Sequence, residues 1–348
     1  MAVAPDLATP PTPLPTLSPS SLEQYLLLVL SDSNLPTGGF VASSGLESWV
    51  QHGYEALQPD PSPSSSSTAP PPPSSTAPGS EHALLGFVQH SLHSYARLNA
   101  PLLCAAHKAV SSVSRPHPPS AHPANPPLTS NSSFQSALDS LVATDALCEA
   151  LTLNHVARRA SIAQGVALLT LYERAFSPPP SIVGIDAVRD LVAAYRAKIR
   201  KGEKGACGHM SVAFAVLTAA VGVRLDSALP LFLFLHARSL LSSAVRLNIV
   251  GPYLAHRMLL WDLAPLVNDA VAETMPRLEE TVGREDSAGE DGGKVNNGDW
   301  WDDDPVWNGM WDAGTGGPDV ERGPVTTWPL GEIVASRHDQ LFSRIFNS

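Results

Sequence analysis

Leu30-Ser-Asp-Ser-Asn-Leu-Pro-Thr-Gly-Gly-Phe-Val-Ala-Ser-Ser-Gly-Leu-Glu-Ser-Trp-Val-Gln-His-Gly-Tyr54 orders its breakers and apolar residues too specifically for a generic helix junction. Leu26 to Leu30 close an apolar helix, which Asn34 and Pro36 stop. Gly38 and Gly39 then permit a backbone path that residues with a Cβ resist. A second, amphipathic helix is predicted to start near Phe40. In it Leu46, Trp49 and Val50 share one face at three- and four-residue spacing, Glu47 completes the signature, and Gly45 leaves room for another backbone to approach.

Outward from this junction the chain alternates between apolar helical patterns and tracts that cannot build a core. Ser20 with Glu23 three residues on forms a capping-box pattern for the first helix. Leu, Ala and Val recur at helical spacing over 81–98, 100–112, 136–175, 185–200, 208–223, 227–249 and 250–274. Alternating Val/Ile/Thr patterns are almost missing, so the fold class expected is all-α, a single bundle-like domain. Residues 1–19 read as a disordered N-terminal tail, and 20–348 as the helical domain. Low-complexity insertions are expected near 58–80, 114–133 and 279–325, rich in Pro, Ser, Gly or acid. This leaves roughly 220 to 240 of the 348 residues for a core, enough for one domain.

The formal net charge is −11, but residues 279–322 hold thirteen acidic and three basic side chains and so carry ten of those charges. The remainder is near neutral, which argues against nucleic acid, whose affinity depends on neutralising phosphates. The best apolar run, 212–223, is about half the ~20 residues that span a bilayer, so no membrane segment is expected. The Pro-rich start carries no early positive charge and no apolar stretch, and Cys104, Cys148 and Cys207 are few and scattered. A cytoplasmic location is expected.

The junction quoted above resembles the signature of the UreF family of urease accessory proteins. The far end, Ala335-Ser-Arg-His-Asp-Gln-Leu-Phe-Ser-Arg-Ile-Phe-Asn-Ser348, independently resembles that family's C-terminal tail. Between them, Arg158-Arg-Ala-Ser-Ile-Ala-Gln-Gly-Val-Ala-Leu-Leu169, the Gly208-His209 helix, and Leu241-Ser-Ser-Ala-Val-Arg-Leu-Asn-Ile-Val-Gly251 with His256-Arg-Met-Leu-Leu260 are similar to its inner helices. The family commonly has Gln where Pro252 and His256 stand. The resemblance spans about residues 22–348, apart from the insertions, and implies an all-helical fold. It implies a non-enzymatic maturation factor that bridges UreD (also called UreH) and the GTPase UreG and supports GTP-dependent nickel delivery to apo-urease. A homodimer within that complex is also implied. No cofactor would be bound directly; nickel and GTP would enter through the partners. The C-terminal segment, with Arg337, His338, Leu341, Phe342, Arg344, Ile345 and Phe346, would dock UreD. In that docking Leu341, Ile345 and Phe346 fill apolar sites and Arg344 forks a hydrogen bond.

Two rival functions are weighed on particular residues. A direct nickel metallochaperone would use Cys207 and His209, the one adjacent thiol and imidazole pair, but two ligands are too few for a closed site, and a packing role at a helix start is the plainer reading. Equilibrium dialysis with Ni²⁺ separates the two. A catalytic GTPase-activating protein would insert Arg158, Arg159, Arg246 or Arg257 toward the transferring phosphate, against the plainer reading of salt bridges and helix caps. His90 and His93 share a helix face with no acidic partner at useful spacing. Trp300, Trp301, Trp307 and Trp311 among acidic residues read as a solvated loop with no core role.

Overall fold

The computed structural model describes residues 19–53, 78–114, 129–177, 186–285 and 323–347. The predicted N-terminal tail, most of the three insertions and the acidic tryptophan-rich segment lie outside them. No strand occurs among the described residues.

Helix α7 (Met210–Ala220) lies at the centre of the bundle. Its residues 211–219 are all buried, as a helix apolar on every side must be. Long α3 (Pro78–Ser114) and α5 (His155–Leu171) pack against it. α4 (Thr129–Leu151), α8 (Leu225–Arg246) and α10 (Leu263–Glu285) surround α3. α6 (Asp186–Lys201) rests on α4, and α9 (Pro252–Trp261) on α8 and α10. Phe214 and Phe232, with ring centroids 5.2 Å apart, join α7 to α8, and each buried phenyl contributes about 1.5–3 kcal/mol by leaving water.

One predicted break is absent, and two breaks occur where none was predicted. Residues 81–98 and 100–112 form one helix, with Pro101 in its interior. Proline removes the N–H that would bond the carbonyl four residues back; here the Arg97 carbonyl accepts the Val325 N–H instead, at 3.3 Å. Conversely, 136–175 is interrupted at 152–154, where no Gly or Pro warned of it. Asn154 caps α5, its Oδ1 accepting from Val156 N (2.9 Å) and Ala157 N (3.2 Å). The run beyond α5 ends in a π turn, Tyr172–Phe176. The single segment expected over 250–274 is split by a turn at Asp262 into α9 and α10.

Three further expectations are corrected. α1 (Pro19–Leu30) begins with Pro19, and Glu23, rather than closing a capping box, accepts the Arg224 N–H at 3.0 Å ahead of α8. No helix starts at Phe40. A 3₁₀ turn (Gly39–Val41) comes first, and α2 (Leu46–Gln51) starts five residues later. By length and composition α8, not 212–223, is the described helix able to cross a membrane; more than half of its apolar window is buried in the bundle.

Residues 323–347 return across the bundle, extended to Trp328, then through α11 (Pro329–Ser336) and a 3₁₀ turn (Arg337–Gln340). α11 packs on α2 and α5. Trp49, Phe87 and Trp328 form an aromatic row joining α2, α3 and the returning segment, with centroids 5.1 and 5.0 Å apart. Gly45, at φ +85°, is where the expected close approach occurs, since a Cβ there would stand 2.9 Å from the Ala335 methyl. Of the glycine pair, Gly38 adopts positive φ, whereas a Cβ on Gly39 would meet side-chain ends, Gln164 at 3.2 Å and the Thr37 hydroxyl at 3.5 Å.

Candidate functional site

The signature junction and the C-terminal segment, far apart in sequence, form one structure around Glu47. This carboxylate is fully buried. Its Oε1 accepts from the Ile345 N–H (2.6 Å) and Gln51 Nε2 (3.2 Å), and its Oε2 from the Phe346 N–H (3.1 Å) and His338 Nε2 (3.0 Å). A buried carboxylate needs such a set of donors. With Nε2–H donating to Glu47, His338 leaves a buried Nδ1 that has no hydrogen-bond partner among the described residues. The Asn347 N–H donates to the Val41 carbonyl at 2.8 Å, and Gln51 Nε2 to the Ser343 carbonyl at 3.1 Å. Outside this clasp, Asp339 accepts from Arg159 (3.0 and 3.2 Å), His155 (3.1 Å) and Arg344 (3.1 Å). The Arg159 bonds first, then His155, hold the Asp339 carboxyl below its ordinary value.

The tail residues assigned to docking sit in different surroundings within the chain. His338 and Phe346 are buried within the chain, the Phe346 ring lying 4.2 Å beneath the Arg246 guanidinium. Arg344 is paired with Asp339 instead of awaiting a partner. Arg337 is exposed, Leu341 is half-buried, and Phe342 and Ile345 project into solvent, Phe342 entirely. Of the signature residues, Leu46 and Gly45 are buried, Pro36 is exposed, and Phe40 is 64% exposed.

A second polar junction fixes the start of α7. Gly205 and Gly208, both at positive φ, bend the chain so that the Cys207, Gly208 and His209 N–H groups point at Asp145 of α4, donating at 2.7, 2.6 and 3.0 Å. Tyr195 OH donates to the same carboxylate at 2.8 Å. Gly165 of α5 lets this turn pass, since a Cβ there would stand 2.1 Å from the Gly208 carbonyl oxygen. His209, fully buried, places Nε2 2.8 Å from Glu149 Oε2 and Nδ1 3.1 Å from Ser161 Oγ. The expected pair of Cys207 and His209 is thus joined by Glu149, and the donor atoms of all three lie within 4.8 Å of one another. The sequence reading missed Glu149 because it is separated from Cys207 by a helix pair; its spacing of four from Asp145 was the available signal. Burial, with Asp145 and Glu149 nearby, raises the Cys207 thiol, and Arg158 opposes this.

The four arginines all have contacts within the chain. Arg158 reaches Glu149 (3.3 Å) and the Thr152 carbonyl (2.9 Å), Arg159 reaches Asp339, Arg246 covers Phe346, and Arg257 pairs with Glu81. His93, expected to lack an acidic partner, meets Glu273 of α10 at 3.0 Å.

A cleft of about 920 Å³ opens between α3, α5, α8 and the returning segment. In it His236 Nε2 lies 3.0 Å from Ser91 Oγ, a spacing suited to nucleophile and base, but the imidazole stacks 3.9 Å from the Tyr95 ring and burial lowers its pKa to about 3. Such an imidazole is a poor proton acceptor at neutral pH.

What fold and junctions define is a helical protein that fixes segments of its own chain around buried carboxylates. The chain belongs to the UreF family, whose sequence profile matches residues 79–261. It is similar to "Urease accessory protein 6" of Cryptococcus neoformans var. grubii, 37% identical over 96% of this chain and 99% of that one. It is also similar to "Urease accessory protein F" of Oryza sativa subsp. indica, 27% identical over 70% of each chain. The protein of the same name from Arabidopsis thaliana is 25% identical over 67% of this chain and 72% of its own length. A role in urease maturation follows from this membership.

Proposed function

We propose that this chain is a non-enzymatic cytoplasmic scaffold that bridges a UreD/UreH-type partner and a UreG-type GTPase, so that GTP hydrolysis on the GTPase is linked to Ni²⁺ delivery to apo-urease. Family membership supports the pathway. The observation that carries the bridging role is the segment fastened by Glu47, which presents Phe342 and Ile345 to solvent. Two large apolar side chains on a fixed backbone are anchors of the kind interfaces use, and their pre-ordering lowers the entropy cost of association. A UreD/UreH-type partner is their occupant in this reading. Holding the GTPase in one nucleotide-dependent conformation makes partner binding and nucleotide state thermodynamically linked. The intramolecular contacts of Arg158, Arg159, Arg246 and Arg257 favour recruitment of the GTPase over catalysis by an inserted arginine.

Co-expression with the UreD/UreH-type and UreG-type proteins tests the proposal. Phe342→Asp with Ile345→Asp is expected to abolish co-purification of the UreD/UreH-type partner while the chain's own melting temperature stays unchanged. An intact complex carrying both substitutions would reject this surface as the contact.

A further inference from the structure

We infer that Glu149, Cys207 and His209 form a site for one exchangeable divalent transition-metal ion. This departs from the expectation of a chain with no metal of its own, and it holds whether or not the chain bridges two partners. Three donor types converge, a carboxylate oxygen, a thiol sulfur and an imidazole nitrogen, within 4.8 Å of one another. Bonds of about 2.0–2.3 Å set the donors of one ion roughly 3.5 Å apart, so the His209–Glu149 pair, now 2.8 Å apart, must part slightly while Cys207 closes on it by about an ångström. Cys207 can supply that movement, being only half-buried.

Each donor is held by a group outside the trio. Ser161 Oγ lies 3.1 Å from His209 Nδ1, and is itself fixed by accepting the Met210 N–H at 3.0 Å. When Nδ1–H donates to Ser161, the Nε2 lone pair points at Glu149, the arrangement of a ligating imidazole with its orienting partner. Arg158 holds Glu149 Oε1 at 3.3 Å and leaves Oε2 facing the imidazole. Asp145 fixes the backbone of Cys207 and His209 through three N–H bonds, so the donors are placed before an ion arrives.

Without an ion, a proton on Nε2 bridges to Glu149. On binding, that proton is replaced by one on Nδ1, the Cys207 thiol releases its proton to solvent, and the three donors take the metal. His209 is fully buried while Glu149 and Cys207 are partly exposed, so the ion enters from their side and keeps a coordination position open to solvent. An open position belongs to an exchanging site, whereas structural sites are closed. Thiolate with imidazole and one carboxylate selects Ni²⁺, Zn²⁺ or Co²⁺ over Mg²⁺ and Ca²⁺.

The test titrates the full chain with Co²⁺ alone and reads the thiolate-to-cobalt charge-transfer absorption. One equivalent is expected to give the band, with Ni²⁺ and Zn²⁺ competing and Mg²⁺ not. Cys207→Ser should remove the band, and Glu149→Gln should weaken Co²⁺ binding about 10- to 100-fold, both with helical circular dichroism unchanged. No thiolate band at saturating Co²⁺, or a band that survives Cys207→Ser in the folded protein, overturns the inference.

Discussion

Replacing Glu47 by Gln changes one atom and should release the C-terminal segment. The carboxylate accepts four hydrogen bonds, two of them from the Ile345 and Phe346 backbone and one from His338. An amide keeps the shape but turns an NH₂ toward donors, so on one side of the group two donors face each other in a fully buried place. A donor left unsatisfied there costs about 1–3 kcal/mol, and removing the carboxylate charge weakens the remaining bonds, each worth about 1.5–3 kcal/mol to a charged acceptor. Adopting about 3–4 kcal/mol, and taking 1.4 kcal/mol per tenfold, the open state of the tail should be populated several hundredfold more. Hydrogen exchange resolved at the Ile345 and Phe346 amides measures this directly. Protection there is expected to fall by that factor, while amides of α7, buried in the bundle centre, keep theirs. Unchanged protection at Ile345 and Phe346 would refute the view that Glu47 holds the tail. Equal losses in α7 would refute the view that tail release is local. The same geometry means that deleting 337–348 strips Glu47 of three of its four donors, so truncation is a blunter test of docking than substitution of Phe342 and Ile345.

Gly165→Ala should lower stability by about 3 kcal/mol, because the new methyl meets the Gly208 and His209 backbone, which cannot yield as a side chain can. Gly39→Ala, facing the side-chain ends of Gln164 and Thr37, should cost under about 1 kcal/mol; denaturant melts giving equal losses would contradict this placement. Acid should loosen the contact between Asp339 and α5. The Asp339 carboxyl is depressed in the fold, so its contribution is complete above its ordinary value of 3.8 and is lost as pH falls through the lower folded value. Exchange at the 3₁₀ turn should therefore rise below about pH 4 and do so less in Arg159→Gln, whereas loosening as pH rises would reverse the sign and the argument.

Helical spacing of Leu and Ala located nearly every element, because a buried helix face leaves a 3.6-residue trace in the sequence. What failed was punctuation. Pro101 suggested an end, yet its consequence was met from 224 residues away by the Val325 N–H. At 152–154 the chain stops for Asn154, whose capping is unremarkable in sequence until Val156 and Ala157 are seen to donate to it. The polar junctions were half legible. Glu47 stood in the signature and His338 in the tail, each beside apolar residues, but their pairing joins positions 291 apart. Cys207 and His209 were visible as neighbours, while Glu149 belongs to another helix and only packing brings it in. Local pattern records burial, whereas partners of buried charge are fixed by tertiary contacts that no window contains.

The carbonyl whose helical donor Pro101 removes has one more consequence. The Arg97 oxygen and the Ser94 hydroxyl, which accepts the Thr327 N–H at 3.1 Å, form a landing place on α3 for the returning chain. Re-entry is thus addressed to fixed points on a helix rather than measured out by the length of chain after Glu285. A proline that would ordinarily weaken a helix here supplies the acceptor that, with Ser94, sets where residues 323–328 meet α3.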